Sequence, residues 1–394
     1  MSRRQIHDIA IVGAGMVGAA LALSMAQQGF DVALVESRAA PPWRAEDEVD
    51  LRVVALAASS IQLFGRLDVW KAIAYARASA YRRMRVWDAH APGELSFDAA
   101  DEGVAALGYI VENRLIQSLL WQALERHAEI ALRCPTEVVG TELAQDRRTL
   151  LFDDGTRLAA KLIVAADGAE SALRKMVGIA TQDRNYAQRA IVAHVATERL
   201  HEATAWQRFL PQATLAFLPL VDGRSSIVWS VPDAQATRLL ALDDVQFRSE
   251  LGAAFDFRLG AIGAVTPRAA FPLRLRLAER YLAPRFAAIG DAAHVVHPLA
   301  GQGVNLGLRD VAEFVDVLSA ARDAKRDFAS EYTLRRFERR RRSDNALSAY
   351  AFDAIQRVFG SDASALAALR GLGLAAADRI APMKRFFSRR AAGL

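Results

Sequence analysis

Asp291, His294 and His297 share the stretch GDAAHVVHPLAGQGVNLGLRD, residues 290–310, with Gly301 and Gly303. Two imidazoles three positions apart beside a carboxylate are raw material for a metal site, provided both rings fall on one helical face. Pro298 works against that arrangement, because it biases the preceding His297 away from helical backbone, and no carboxylate pair or cysteine cluster stands nearby. The glycines point to different chemistry. Gly301 and Gly303 precede a Val/Asn/Leu pattern of helical period, so they deliver free backbone N–H groups at a helix N-terminus, where an anion is favoured. Asp291 closes the apolar run FAAIGD and is placed to accept hydrogen bonds from a polyol.

A second glycine cluster lies at the other end of the chain. HDIAIVGAGMVGAALALSMAQQGFDVALVESR reads as strand, helix and strand: a β-branched run, then Gly13, Gly15 and Gly18 in G-x-G-x-x-G spacing, then an Ala/Leu/Met helix stopped by Gly29. Glu36 ends the second strand. The three glycines suit a tight turn, close approach to a pyrophosphate and close helix–strand packing, and Glu36 is placed to bind a ribose diol. The motif alone does not separate NAD from FAD. Paired with the later site for a polyol and a delocalised anion, it favours FAD. The basic start and apolar run also resemble a secretory signal peptide, but the glycine spacing gives that segment its own explanation.

The elements between these clusters must position them. GYIVENRLIQSLLWQALERH is a helix with Leu115, Leu119, Leu120 and Leu124 on its apolar face, and LLFDDGTRLAAKLIVAAD is a hairpin over Asp154-Gly155 leading into a buried strand. From about residue 181 to 275 the texture changes to antiparallel strands, with a hairpin turning at Asp222-Gly223. Residues 81–97 form another hairpin and are expected to join that sheet. The expected division is a discontinuous nucleotide domain (1–80, 105–180 and 276–345), a sheet-containing domain (81–104 and 181–275) and a helical C-terminal region (346–394).

Composition narrows the function. The 394 residues are 52% hydrophobic and 24% charged, as in a folded globular chain. The net charge of +5 is partly local, in RRFERRRR at 335–342, which reads as a solvated helix face. No helix-turn-helix pattern, zinc spacing or aromatic platform accompanies the charge, so nucleic acid is not an expected partner. The single cysteine, Cys134, leaves no intramolecular disulfide and suits a reducing compartment. A metal is not expected.

Three fingerprints, GAGMVG with Glu36, ADGAESALR at 166–174 and the 290–310 stretch, resemble those of the FAD-dependent aromatic hydroxylases with the p-hydroxybenzoate hydroxylase fold. DLRVVALAASS, YRRMRVWDA, AFLPL, SSIVWS and RRFERRRRSDNAL bring the wording close to the branch that hydroxylates intermediates of ubiquinone biosynthesis. The likeness spans nearly the whole chain. It implies an α/β fold, with a Rossmann-like FAD-binding domain, an inserted antiparallel-sheet substrate domain and a helical C-terminus.

The resemblance also implies site residues. Gly13, Gly15, Gly18 and Glu36 would hold the ADP moiety, with Arg38 and Arg52 beside the adenosine and phosphates. Gln117 would lie near the pyrophosphate or ribityl chain, and Asp167 and Gly168 match a motif associated with FAD and the pyridine nucleotide. Asp291 would bind the ribityl chain, Pro298 would lie near the isoalloxazine, and Gly301, Gln302, Gly303 and Asn305 would line its pyrimidine edge. His297 and Pro298 are the candidate catalytic positions; the resemblance carries no catalytic role to His297, which is a candidate base for a phenol because an unperturbed imidazole titrates near neutrality.

The implied reaction is hydroxylation of a polyprenyl phenol by O2 through a flavin C4a-hydroperoxide, with NAD(P)H as a transient donor and a lean toward ring carbon C5. Expected partners are the lipid-soluble phenol, O2 and proteins of the same biosynthetic complex. The expected location is cytoplasmic with peripheral contact at the inner membrane, which gives the basic tail RIAPMKRFFSRRAAGL a reading as a lipid-facing surface. The alternatives are a non-catalytic lipid-binding or scaffold subunit and a flavin reductase of the same fold.

Overall fold

The computed structural model describes residues 6–89, 93–296 and 302–360. Its first sheet has the strand order Leu282–Ala283, Phe286–Ala288, Arg157–Ala165, Ile6–Val12, Val32–Val35, Ile130–Arg133, and an antiparallel arm of Arg148–Phe152 and Val138–Leu143. Ile6–Val12 pairs in parallel with strands on both sides. Parallel strands carry crossover helices on their faces and so read as unbroken apolar runs; Val32–Val35 is buried at every position. The helix Met16–Gln27 is buried from Gly18 to Ala26, which explains why its sequence shows no polar face.

The second sheet is antiparallel apart from one parallel pairing, between Thr204–Leu210 and Arg83–Asp88. Its order is His294–Val295, Ala269–Ala278, Thr181–Thr197, Ser225–Pro232, Ala213–Pro219, Thr204–Leu210, Arg83–Asp88, Glu94–Asp98, with Ile262–Val265 beside Thr181–Thr197. The hairpins expected at 81–97, 154–155 and 222–223 are present. Alternation separates the two faces of this sheet. Ile191, Ala193, Val195, Ile227, Trp229 and Val231 pack into one core with Phe247, Leu251 and Phe255 from the helix Asp244–Ala254 and its end. The intervening residues face the first sheet. A small sheet of Val53–Leu56, Gly108–Glu112 and Ala78–Tyr81 lies between, and Ala55, Ile110, Leu218 and Leu220 join it to the second sheet.

Elements cross three of the expected boundaries, the first where the strand Ala78–Tyr81 runs past 80/81. Ala269–Ala278 runs past the division at 275/276, and His294–Val295 pairs with it instead of staying in the nucleotide sheet. The chain passes from one sheet to the other at this point, so the 290–296 segment belongs to both. The last described helix, Glu331–Gly360, also runs unbroken across 345/346.

Candidate functional site

The first strand ends at Val12 and is followed by Gly13, whose φ of +101° only glycine adopts freely; a Cβ there would also lie 2.4 Å from the Ala166 carbonyl oxygen. At Gly18 a Cβ would lie 1.9 Å from the Gly13 carbonyl oxygen, so helix and strand can meet only without side chains. Gly15 has nothing within 4 Å of its Cβ position. It begins the helix Met16–Gln27 and faces a cavity. Glu36, at the end of the adjacent strand, accepts from the Ala14 N–H at 2.6 Å and from the Arg38 N–H at 3.1 Å. The Arg38 side chain is exposed.

That cavity measures about 640 Å³ and lies between the two large sheets. Gly15, Asn113, Gln117, Gly168, Asp291 and Gly303 line its nucleotide side. Val192, Leu218, Ser226, Val228 and Phe271 line the opposite wall, which the second sheet supplies. Gly303 stands in the first turn of the helix Gln302–Asp323, and its Cβ position is clear to 4 Å. Two helix N-termini therefore open on one cavity, each offering N–H groups and a positive dipole end. Asp167 accepts from the Leu173 N–H with one carboxylate oxygen, while the other is buried without a partner.

Asp291 opens onto the cavity but is enclosed by its walls, and this loss of solvation raises its pKa; His294 and Arg52 pull it the other way. Arg52 lines the same cavity. Its guanidinium lies 5.7 Å from the Phe271 ring centroid, on the Asp291 side, because the strand Val53–Leu56 sits in the small sheet between the two large ones. Asn305 follows two positions after Gly303 in the helix Gln302–Asp323. Its side chain is fully buried away from the cavity: Oδ1 accepts from the Ala57 N–H and the Ser60 hydroxyl, and Nδ2 donates to the Ala55 carbonyl. His297, Pro298 and Gly301 lie outside the described residues, and of Gln302 only the helical backbone is described.

Behind Asp291 lies a buried polar network that sequence reasoning missed. Asp310 accepts from His294 Nε2 and the Gly290 N–H with one oxygen, and from Arg341 and Asn345 with the other. Burial alone would raise the Asp310 pKa, but His294 and Arg341 hold the carboxyl well below the usual range. Arg341 lies within the basic run read as a solvated face. Arg335 and Arg340 do sit on the surface with Glu331 and Glu313, whereas Arg341 is 7% exposed. His294, with Nε2 taken by Asp310, is a structural residue here. Among the described residues no cluster of metal-ligand type occurs.

Two helix N-termini, at Gly15 and Gly303, line one cavity, an arrangement that suits a phosphate group at one end and a second, anionic group at the other. A family model described as an FAD binding domain matches residues 7–346. The chain belongs to this FAD-binding family. It is 41% identical over 392 residues to the 3-demethoxyubiquinol 3-hydroxylase of Escherichia coli, covering 99% of each chain. It is 36% identical to the ubiquinone hydroxylase UbiL of Rhodospirillum rubrum, covering 100% of this chain and 91% of that one. Among solved structures, p-nitrophenol 4-monooxygenase of Pseudomonas putida superposes with a TM-score of 0.77 at 17% identity, over 98% of this chain and 97% of the other, which shows a shared fold. The enzyme is an FAD-dependent monooxygenase.

Proposed function

We propose that this monooxygenase hydroxylates the aromatic ring of a polyprenyl phenol or hydroquinol in ubiquinone biosynthesis. The observation that carries the reading is the cavity itself: cofactor-binding groups on one wall and an apolar wall of Val192, Leu218, Val228 and Phe271 opposite, over a chain matched end to end by a 3-demethoxyubiquinol 3-hydroxylase. Bound FAD supplies the chemistry that turns O2 into a source of one electrophilic oxygen atom, with NAD(P)H as the proposed donor.

The protein's own residues do the rest. Gly15 and the helix behind it bind the pyrophosphate, Glu36 the adenosine ribose, and Gln117 and Asp291 the ribityl chain. Backbone N–H groups at Gly303 favour negative charge on the pyrimidine edge, by about 1 kcal/mol for a helix dipole in ordinary surroundings. The apolar wall holds the aromatic ring and keeps water away from it. His297 and Pro298 are retained as proposed contacts at the flavin edge.

The name of the 41% relative favours the ring carbon that lacks a methoxy group over C5. Two short-tailed substrates test this, a phenol open at C5 and a demethoxyquinol, each incubated with FAD-loaded enzyme and its product mapped by mass and NMR. Turnover of the demethoxyquinol alone supports the reading. Turnover of the C5-open phenol alone restores C5, and turnover of neither removes the substrate class. No helix among the described residues is long and apolar enough to cross a membrane, so we propose peripheral contact with the inner membrane or with other proteins of the pathway as the route to a lipid-soluble substrate.

A further inference from the structure

The face of the second sheet that forms the apolar cavity wall also carries two buried polar side-chain atoms with no partner among the described residues. Along the strand Thr181–Thr197, Ala190 and Val192 line the cavity, and His194 is the next residue of the same face. Along Ser225–Pro232, Val228 and Ser226 line it. The register sets Val192 opposite Val228 and His194 opposite Ser226, so the imidazole and the hydroxyl are cross-strand neighbours on one face. His194 is 2% exposed and Ser226 1%. The His194 Nδ1 and the Ser226 Oγ are both buried without a hydrogen-bond partner.

The tautomer of His194 follows from its other nitrogen. Nε2 lies 3.1 Å from the Asp50 carbonyl oxygen, which only accepts, so Nε2 carries the proton and Nδ1 presents a lone pair. Burial lowers the imidazole pKa, which keeps the ring neutral at physiological pH. The charged groups facing it are Arg224, which opposes protonation, and Asp222, which favours it; these two pair with each other, and Arg224 also pairs with Glu48. A buried polar group without a partner is costly, about 1–3 kcal/mol, in a wall otherwise apolar.

We propose that Ser226 and His194 form a proton-accepting relay for the ring hydroxyl of the substrate. The ring O–H would donate to Ser226 Oγ and, once the Ser226 side chain turns about its Cα–Cβ bond, the Ser226 O–H would donate to His194 Nδ1, a contact that neither atom makes in this structure. As the ring carbon bonds to the electrophilic oxygen that bound FAD and O2 would supply, the O–O bond of that oxidant breaks and the departing oxygen takes a proton from water, while the ring hydroxyl proton passes through Ser226 and leaves His194 as an imidazolium, with its charge answered by Asp222. When the ring regains aromaticity it loses the hydrogen from the attacked carbon to water, and the imidazolium returns its proton to the ring oxygen. The relay rests on the phenol-hydroxylase reading above and adds to it the group that takes the proton.

The test compares FAD-loaded wild type, His194→Asn and Ser226→Ala on a short-tailed form of the substrate and on a ring-fluorinated form already ionised at the assay pH. Wild type is expected to turn over both. His194→Asn is expected to bind FAD as tightly as wild type and to lose about a hundredfold in kcat on the neutral phenol, within the range for removing a general base. It should recover on the fluorinated phenol, and on the ordinary one as pH rises through that phenol's own ionisation. Ser226→Ala, the smaller change, should show the same phenol-selective loss to a lesser degree, and it decides the matter if the histidine variant does not fold.

Equal losses on both substrates, or no loss in either variant, overturn the relay while the hydroxylase reading stands. A wild type that turns over neither phenol overturns both.

Discussion

His294 Nε2 lies 2.5 Å from Asp310 Oδ2, with both side chains buried. Through this contact the segment carrying Asp291 is tied to the helix Gln302–Asp323, and through Arg341 both are tied to the helix Glu331–Gly360. Removing one partner of such a buried set leaves the others uncompensated. Asp310→Ala is expected to cost about 3–5 kcal/mol of stability, measured by urea unfolding. Because the folded-state pKa of Asp310 is depressed, its contribution is present above the unfolded carboxylate range near ~4 and fades as pH falls through the folded value. Wild type should therefore lose stability steeply in acid, and Asp310→Asn should flatten that slope.

Asp291 has the opposite sign. Its pKa is raised by enclosure, so the carboxylate costs the apoprotein stability once pH exceeds the folded value. Asp291→Asn should leave the apoprotein as stable at neutral pH or more so. Loss of a charged acceptor for the ribityl hydroxyls should weaken FAD binding about tenfold to a hundredfold, equivalent to about 1.5–3 kcal/mol, read by fluorescence titration of the apoprotein with FAD.

The nucleotide-loop glycines should separate into two kinds. Gly18→Ala places a methyl 1.9 Å from a backbone oxygen and is expected to lower the unfolding midpoint with or without FAD. At Gly15 nothing stands within 4 Å, so Gly15→Ala should fold normally and lose FAD affinity through a methyl that enters the cavity. Thermal unfolding of the apoproteins and FAD titration distinguish the two.

Asn305→Ala removes three hydrogen bonds that tie Ala55, Ala57 and Ser60 to the helix Gln302–Asp323. The expected cost is about 1–3 kcal/mol of stability with the absorption spectrum of bound flavin unchanged. A shifted flavin spectrum at unchanged stability would return Asn305 to the pyrimidine edge.

The local parts of this architecture were legible because local rules govern them. Gly13, Gly15, Gly18 and Glu36 announce the strand–helix–strand unit through spacing alone, and the hairpins at Asp154-Gly155 and Asp222-Gly223 announce themselves through turn chemistry. Pairings between distant segments left no such mark. Arg341 sits in a run of arginines that looks solvated, and only the fold shows that it meets Asp310, 31 positions earlier. Asn305 fits the glycine-rich fingerprint, yet its side chain answers to Ala57 and Ser60, nearly 250 positions away. His194 carries no motif at all. Its interest comes from a register that sets it opposite Ser226 and from a carbonyl at Asp50 that fixes its tautomer.

The central claim is oxygen transfer from O2 to a polyprenyl ring by this protein with FAD. The most direct measurement supplies FAD-loaded enzyme with NAD(P)H, a short-tailed demethoxyquinol and isotopically heavy O2, and weighs the product. One heavy oxygen atom incorporated into the ring is the predicted result. Donor oxidation that yields only hydrogen peroxide, or a product whose new oxygen comes from water, would contradict it.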